Sequence, residues 1–203
     1  AGLSGIELAS ELRESRSDLE ILLYDRGPRI LRNFPEKLSK YISKWFSKHD
    51  VTVVPNSVID RVEPGKIYNN GQPEDIDLVV WTAGIQPVEV VRNLPIDLSN
   101  TGRVILNQYH QVPTYKNVYV VGDCADLPHA PSAQLAELQG DQIADVLKKQ
   151  WNNESLPDKM PEIKIQGFLG SLGDKQGFAY IMDRTVTGRL ASILKSGVLW
   201  LYK

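Results

Sequence analysis

Two glycines near the start of the chain have the spacing of a dinucleotide-binding turn. Residues 1–7, Ala-Gly-Leu-Ser-Gly-Ile-Glu, supply the last five positions of a G-x-G-x-x-G fingerprint and the start of its helix. A glycine at Gly2 lets the backbone approach a pyrophosphate, and a glycine at Gly5 lets the helix pack closely on its sheet. The N–H groups at the start of that helix would then face the phosphates.

Asp25 supplies the acidic residue that such a fingerprint needs. It lies 23 positions after Gly2 and ends an apolar run, where a carboxylate can bind the adenosine ribose. A carboxylate there favours NAD over NADP because it would repel a 2′-phosphate, although the neighbouring Arg26 moderates that preference. Taken alone, the glycines also fit a turn that merely precedes a helix. The position of Asp25 is what favours a nucleotide site.

A second glycine–aspartate pair, Gly122-Asp123, follows the apolar run at residues 118–121. An aspartate after a strand-ending glycine can accept hydrogen bonds from a sugar or ribityl hydroxyl. An ordinary exit from a strand into a loop fits these residues equally well. Together, the two pairs indicate the C-terminal part of an enzyme that binds two nucleotides, most simply a flavoprotein that uses NADH.

The apolar pattern of the first part of the chain predicts the elements that position Gly2, Gly5 and Asp25. Some segments have helical spacing, and others are short β-prone runs. The order matches a Rossmann-like βαβ nucleotide domain, within an α/β fold, whose first strand is missing; the sequence is therefore predicted to be a C-terminal fragment. The predicted elements are a helix at 3–14, a strand at 19–24, a helix from about 33–35, strands at 51–54 and 57–62, a hairpin around Asn70-Gly71 and a buried strand at 77–82.

The pattern after residue 85 predicts a return into a second lobe and then a small extension. The predicted parts are an NADH-binding lobe at 1–85, the returning segment of an FAD-binding lobe at 86–151, and a small α/β C-terminal extension at 152–203. The elements of the last two parts are a buried strand at 118–121, a helix at 131–150, a polar linker at 152–161, two β-like runs within 163–182 and a final helix at 190–202.

The composition is that of an ordinary globular protein. The 203 residues carry a net charge of −2, which offers no basic surface to nucleic acid. Cys124 is the only cysteine, so the chain has no intrachain disulfide and no C-x-x-C redox pair, which suits a reducing, cytoplasmic setting. No apolar run approaches the roughly 18 residues of a membrane span. Three scattered histidines predict no metal site.

Five motifs give the chain a specific resemblance. In order and spacing they resemble the type II NADH dehydrogenases, which are single-subunit, FAD-containing NADH:quinone oxidoreductases on the inner face of bacterial membranes. Thioredoxin reductases and glutathione-reductase-type enzymes fit less well, because the chain has neither the C-x-x-C pair of the first nor the His-Pro pair of the second. The motifs are Ala-Gly-Leu-Ser-Gly-Ile-Glu at 1–7, Tyr-Asp-Arg-Gly-Pro-Arg-Ile-Leu at 24–31, Trp-Thr-Ala-Gly-Ile-Gln-Pro at 81–87, Val-Val-Gly-Asp-Cys-Ala at 120–125 and Ala-Gln-Leu-Ala-Glu-Leu-Gln-Gly at 133–140.

The resemblance implies cofactor contacts for the first lobe. Gly2, Gly5 and Asp25 match the positions that bind the pyrophosphate and ribose of NADH. A further segment matches the connection back to the FAD lobe, near the nicotinamide. Its residues are Thr82, Ala83 and Gly84.

The resemblance also implies roles around the flavin and the electron acceptor. Gly122 and Asp123 match the flavin-contacting pair. Ala133 and Gln134 match the segment beneath the flavin ring that leads into the quinone site. Glu7 matches a helix glutamate assigned to proton handling or quinone binding, although a glutamate early in a helix is usually just solvated. Glu7 and Gln134 are therefore the expected catalytic residues, and FAD and NAD(H) the expected cofactors.

One position departs from the family pattern. The family usually has a second glutamine four residues after Gln134, where this chain has Leu138, and Gln139 comes one position late. One position turns a helical side chain by about 100°, so Gln139 cannot simply substitute. Use of NADH and FAD survives this departure, but the acceptor stays open. A quinone is expected; the alternatives are another acceptor, or a nucleotide-binding sensor or assembly partner without turnover.

The C-terminal helix predicted at 190–202 can present an apolar face. It fits packing onto the protein body, a homodimer interface, or the peripheral membrane contact that the resemblance implies, with Lys195, Trp200, Tyr202 and Lys203 at the interface. The sequence lacks most of an FAD site, so the fragment alone is expected not to turn over. The apolar residues are Leu190, Ile193, Leu194, Leu199 and Trp200.

Overall fold

The computed structural model describes residues 1–201, except the side chains of Leu199 and Leu201. Tyr202 and Lys203 lie outside the described residues, so their interfacial role stays a prediction. The chain forms two compact units. Residues 1–84 and the residues from 166 onward make up the first unit, and residues 85–165 make up the second.

The elements are those of a mixed α/β protein. The first unit begins with α1 (Leu3–Ser15), β1 (Ile21–Tyr24), α2 (Glu36–Lys48), β2 (Val51–Val54), β3 (Ile59–Glu63), β4 (Lys66–Asn69) and β5 (Gln72–Asp75). The second unit contains α3 (Glu89–Arg92), β6 (Gln111–Val112), β7 (Tyr115–Tyr119), a 3-10 turn (Gly122–Cys124) and α4 (Ala133–Trp151). The first unit resumes with β8 (Gly167–Leu172), β9 (Gln176–Ile181), β10 (Arg184–Gly188) and α5 (Arg189–Leu201).

A βαβ unit forms the centre of the first unit. Strands β1 and β2 pair in parallel, with Ile21 opposite Val51 and Tyr24 opposite Val54. Helix α2 connects them, as a parallel pair requires a crossover. It buries Leu38, Ile42, Trp45 and Phe46, whose spacing of i, i+4, i+7 and i+8 puts them on one face. The predicted βαβ arrangement is confirmed.

Strands β3, β4 and β5 form an antiparallel meander after this unit. The turn between β4 and β5 consists of Asn70 and Gly71, with φ of 51° and 76°. A two-residue hairpin turn of this hand needs positive φ at both positions, which asparagine and glycine tolerate best. The hairpin predicted at Asn70-Gly71 is confirmed.

Residues 77–82 do not form the predicted buried strand. Leu78 is 78% exposed and Trp81 is 62% exposed. A strand is stable only when its backbone groups pair with a neighbour. Within residues 1–201, no strand pairs with this segment, so its apolar side chains gain no burial.

Strands β8, β9 and β10 form an antiparallel sheet whose core is shared with the βαβ unit. The first and last thirds of the chain therefore fold together although they are distant in sequence. Leu172 and Phe178 from this sheet join a cluster with buried residues of α1, β1, α2 and β2. That cluster is Ile6, Ala9, Leu23, Ile30, Leu31, Leu38, Ile42, Trp45, Phe46, Val51, Leu172 and Phe178.

The second unit is built around a turn and a long helix. Strand β7 ends at Tyr119 and is mostly exposed, so the buried strand predicted at 118–121 is wrong in both its bounds and its burial. In the described part of the chain β7 pairs with β6 alone, which leaves its faces uncovered. Helix α4 begins after Ser132, whose Oγ accepts the N–H of Leu135 at 3.2 Å as an N-cap. Among residues 1–201, no helix combines the length and apolar character needed to cross a membrane.

Candidate nucleotide sites

The N-terminus of α1 is open toward a ligand. Gly2 is its N-cap, and it provides no side chain to satisfy the first N–H groups of the helix. Those groups have no partners inside a helix, and together with the helix dipole they attract an anion such as a phosphate. A Cβ placed on Gly2 would meet nothing within 4 Å in the described part of the chain, so the backbone there is accessible.

Gly5 has a different role, because it lets α1 pack closely on the following segments. A Cβ at Gly5 would lie 2.7 Å from Oγ1 of Thr82 and 3.6 Å from Cδ1 of Leu23. The first distance is too short for a real contact, so any larger residue must push the helix or Thr82 away. The structure thus brings Gly5 and Thr82 together. Ala83 and Gly84 follow Thr82 and are exposed, and Gly84 has a φ of +98°.

Asp25 lies directly after β1, at the carboxyl end of the parallel strands. Its N–H donates to Val54 O and its carbonyl accepts from the Ser57 N–H, each at 2.9 Å. Its Oδ1 accepts the N–H of Gly27 at 2.7 Å, and its Oδ2 contacts the backbone nitrogen of Ala1. The side chain is 11% exposed. This arrangement holds the carboxylate beside the first residues of the glycine turn, where ligands bind in α/β sheets.

A polar network braces the strand that ends at Asp25. The Tyr24 hydroxyl donates to Glu74 Oε2 at 2.5 Å, and Asn69 Nδ2 donates to Glu74 Oε1 at 2.9 Å. Burial, followed by the hydrogen bond to Glu74, raises the pKa of Tyr24. The hydrogen bond from Tyr24, followed by that from Asn69, lowers the pKa of Glu74. The network therefore fastens the β4–β5 hairpin to the end of β1.

Glu7 is part of a polar cluster that connects three elements of the first unit. Its Oε1 accepts the N–H of Ser171 on β8 at 2.8 Å and pairs with Nζ of Lys195 on α5 at 2.5 Å. Lys195 also donates to Oγ of Ser171 at 2.6 Å. The side chains of Glu7 and Lys195 are 32% and 26% exposed. Glu7 is thus not simply solvated, as the ordinary interpretation of an early helical glutamate would have it.

Sequence reasoning assigned Lys195 only to a membrane interface and did not assign Ser171. Lys195 is 188 positions from Glu7. No local pattern links residues at that separation, and only the packing of α1, β8 and α5 brings them together. The one signal in the sequence is that Lys195 lies among the apolar residues of the predicted C-terminal helix.

In the second unit, Gly122 and Asp123 form a turn held by backbone contacts. Gly122 has a φ of +74°, a conformation that favours glycine. Its N–H donates to Oε1 of Gln139 on α4 at 2.8 Å, and the carbonyl of Asp123 accepts from Nε of Arg103 at 3.1 Å. The Asp123 side chain is exposed, and its carboxylate has no protein partner among residues 1–201. It is available to accept hydroxyl hydrogen bonds.

The start of α4 carries the remaining expected site residues. Ala133 is exposed and Gln134 is half-buried, in the first turn after the Ser132 cap. Leu138 is half-buried, whereas Gln139 is fully buried and engaged with Gly122. The sequence shows Gln139 only as a glutamine displaced from the quinone motif and gives no sign of its contact with the turn. Within residues 1–201, no group of His, Cys, Asp or Glu side chains is arranged to hold a metal ion.

The chain shares its fold with solved oxidoreductases. The chain is similar in fold to NDH2 of Plasmodium falciparum in complex with NADH, with a TM-score of 0.79 and 14% identity over 98% of this chain and 60% of that chain. It is also similar to the sulfide:quinone oxidoreductase of Aquifex aeolicus, with a TM-score of 0.76 and 20% identity over 96% of this chain and 53% of that chain. The predicted α/β fold class is confirmed.

The profile of the pyridine nucleotide-disulphide oxidoreductase family matches residues 1–140. The chain therefore belongs to this family. It is 56% identical over 203 residues to the NADH dehydrogenase-like protein YutJ of Bacillus subtilis. It is 25% identical, over 96% of the chain, to a type II NADH:quinone oxidoreductase of Staphylococcus epidermidis. The chain spans 57% and 53% of these two relatives. They confirm the resemblance predicted from the five motifs.

Proposed function

We propose that the protein transfers hydride from NADH to bound FAD and passes the electrons to a quinone. The observation that carries this proposal is the juxtaposition of Asp25 with the open N-terminus of α1 at the end of a parallel strand. Relatives named as NADH dehydrogenase-like and as type II NADH:quinone oxidoreductase support it. Because the chain spans just over half of these relatives, the activity belongs to the complete protein.

The NADH half of the proposal assigns residues 1–85 to the nucleotide lobe. The free N–H groups of α1 and the bare backbone of Gly2 would bind the pyrophosphate. The Asp25 carboxylate would accept the ribose hydroxyls, and Gly5 would set the distance between the helix and Thr82. Ala83 and Gly84 would lie near the nicotinamide. Together, the N–H groups at the start of α1 and the Asp25 carboxylate fit NADH.

The flavin half assigns residues 86–151 to the returning part of the FAD lobe. The exposed carboxylate of Asp123 fits a ligand rich in hydroxyls, such as the ribityl chain of FAD. Ala133 and Gln134 would lie beneath the flavin ring. When bound, FAD accepts the hydride and releases electrons to the next acceptor. The protein's contribution is to position both cofactors and exclude water.

The Glu7–Lys195 pair supports an acceptor that takes up protons, as a quinone does on reduction. An ammonium has three N–H donors, and Lys195 uses two of them on Glu7 and Ser171. In the part of the chain that the structure describes, the third has no protein partner. Since Lys195 is partly exposed, it could donate a charge-assisted hydrogen bond to a carbonyl oxygen. Glu7 would hold this charge in place.

The exposed side chains of α5 favour a peripheral location on the inner face of the membrane. Leu190, Ile193 and Trp200 are each more than half exposed, which is unusual for large apolar residues on one short helix. Residues 152–203 would then form an extension that contacts lipid or a second copy of the chain. An amphipathic helix of this kind lies in the interface and does not span it.

The test uses the protein expressed from its complete open reading frame and purified with flavin. It is mixed anaerobically with NADH and then with a menaquinone analogue while flavin absorbance is followed. We expect rapid bleaching by NADH and rapid recovery with the quinone. Flavin that NADH fails to bleach would contradict the proposal and favour a nucleotide-binding sensor or assembly partner.

Two lysine variants separate the acceptor step from the NADH step. Lys195→Met should slow flavin recovery by quinone about tenfold or more, since it removes a charge-assisted donor. It should leave bleaching by NADH unchanged. The matched control is Lys175→Met, because Lys175 is an exposed lysine of the β8–β9 turn. Equal recovery rates in the two variants would remove Lys195 from the acceptor step.

A second candidate function is an NADH-dependent flavoprotein reductase with a different acceptor. The observation that favours it is Leu138, which stands where the family usually has the second glutamine of the quinone segment. A half-buried leucine cannot hydrogen-bond a quinone carbonyl. Bleaching by NADH without recovery by the menaquinone analogue would favour this candidate.

A further inference from the structure

Gln139 is a fully buried amide on a helix face that otherwise buries apolar residues. Its side chain is 0% exposed, and Leu135 and Val146 are the other buried residues of α4. Its Oε1 accepts the N–H of Gly122 at 2.8 Å. Because an N–H can only donate, this contact decides which end of the amide faces the turn. The group left without a partner in the described residues is therefore the Nε2 donor.

The buried Nε2 donor, which has no acceptor among the described residues, disfavours glutamine at this position. A buried N–H group without an acceptor lowers stability, whereas an apolar side chain of similar shape avoids that penalty. Leucine would fill comparable space beside Leu135. The amide must therefore contribute something that leucine could not. The hydrogen bond that it makes goes to Gly122.

The turn at Gly122 is held from several sides while one carboxylate is left free. Gly122 adopts a φ of +74°, and a Cβ there would lie 3.4 Å from the Cβ of Ala136 on α4. Arg103 holds the carbonyl of Asp123, and the carbonyl of Cys124 accepts the N–H of Val104 at 2.8 Å. These contacts occupy the backbone of the turn. The exposed side chain of Asp123 is what it presents outward.

We infer that Gln139 is a positioning residue for the flavin. By holding the N–H of Gly122, it fixes the turn so that Asp123 offers its carboxylate to the hydroxyls of FAD. This inference rests on the proposed function, because it requires the second unit to bind FAD. It also accounts for the one-position shift in the quinone motif: Gln139 is buried against the turn and is not available to a quinone.

The test compares Gln139→Leu with Gln142→Leu in the protein from its complete open reading frame. Gln142 lies on the same helix, and its amide contacts His110 Nε2 at 2.8 Å and donates to the Pro161 carbonyl at 2.7 Å. The control therefore also loses side-chain hydrogen bonds, but away from the turn. The measurements are the Kd of FAD for the apoprotein, the visible circular dichroism of bound flavin, and the unfolding midpoint without FAD.

Gln139→Leu is expected to raise the Kd of FAD about tenfold or more and to alter the flavin dichroism. Its unfolding midpoint without FAD should change little, since the unpaired Nε2 donor disappears while the Gly122 N–H loses its acceptor, and these two effects oppose each other. Gln142→Leu should keep the Kd within about twofold of the wild type. An unchanged Kd in Gln139→Leu overturns the inference. So does a rise in Kd that merely follows a lowered midpoint in both variants.

A second variant covers the case in which Gln139→Leu does not fold. Gly122→Ala disturbs the same turn directly. The added Cβ is strained by the positive φ of this residue and would also contact Ala136. The same weakening of FAD binding is expected, and an unchanged Kd overturns the inference. A wild type that binds no FAD contradicts the proposed function together with this inference. A wild type that NADH bleaches, beside a Gln139→Leu variant with unchanged FAD affinity, contradicts this inference alone.

Discussion

Both candidate sites combine glycine with aspartate, but the glycines are required for different physical reasons. At the first site, Gly5 is required by packing, since a Cβ would lie 2.7 Å from Oγ1 of Thr82. At the second, Gly122 is required by backbone conformation, with a φ of +74°. The first glycine serves a helix that must approach its neighbours, and the second serves a sharp turn. Glycine is therefore required at these two positions for two separate physical reasons.

The two aspartates also differ, in their exposure and in their contacts with the protein. Asp25 is mostly buried and already accepts the N–H of Gly27. Asp123 is exposed and has no protein partner among residues 1–201. The first carboxylate is part of the protein's own structure before any ligand arrives, whereas the second has only a ligand to bind. Substitutions at the two sites should therefore separate stability from affinity.

The largest effect is expected for Asp123→Ala on FAD binding. A hydrogen bond to a charged group contributes about 1.5–3 kcal/mol, so the Kd of FAD should rise about 10- to 100-fold. The unfolding midpoint without FAD should stay unchanged, because the Asp123 carboxylate has no protein contact to lose among residues 1–201. Titration of the apoprotein with FAD measures the Kd. The control is Asp126→Ala, which removes an equal charge three residues further along the chain. A drop in apoprotein stability with Asp123→Ala would break the contrast with Asp25.

Gly5→Ala should lower the free energy of unfolding by about 1–3 kcal/mol, because the added methyl overpacks the space beside Thr82. Gly2→Ala is the matched control, since a Cβ there meets nothing within 4 Å and its φ is −87°. It should leave stability unchanged while weakening NADH binding. Urea unfolding of both variants checks this. If Gly5→Ala is as stable as the control, Gly5 is not required by packing.

Asp25→Asn should weaken the discrimination between NADH and NADPH about tenfold, since it removes the charge that repels a 2′-phosphate. The asparagine oxygen can still accept the N–H of Gly27, so stability should fall less than with Asp25→Ala, which loses that contact. The measurement is the ratio of kcat/KM for the two nucleotides. An unchanged ratio would mean that Asp25 serves only the structure of its loop.

The smallest effect concerns the network behind Asp25. Glu74 has a lowered pKa when folded, so its stabilising contribution is present above the unfolded-state pKa of about 4.3 and is lost as the pH falls through the folded value. Glu74→Gln should therefore flatten the loss of stability below about pH 5. Urea midpoints between about pH 7 and 3 test this, with Glu63→Gln on the exposed meander as the control. Parallel profiles for wild type and Glu74→Gln would contradict it.

Local patterns predicted the elements whose partners are also in the described chain. The strand at 51–54 has the predicted bounds, and the predicted hairpin turns at Asn70-Gly71. The same reasoning failed at 77–82 and 118–121. Those runs are apolar enough for a buried strand, but burial needs a neighbour. In the part of the chain that the structure describes, neither segment has one that covers it.

In the candidate sites, too, local sequence predicted some of the contacts and tertiary packing decided the others. Residue types and spacing in the sequence predicted that Gly2 and Gly5, at the start of a helix, lie beside Asp25 at the end of a strand, because a βαβ unit brings the end of its second strand to the start of its helix. Tertiary structure alone decided that Glu7 pairs with Lys195 and that Gln139 holds the turn at Gly122. Periodicity records which face of an element is apolar. It carries no record of which distant polar group will complete a buried hydrogen bond, because that choice depends on how separate elements pack.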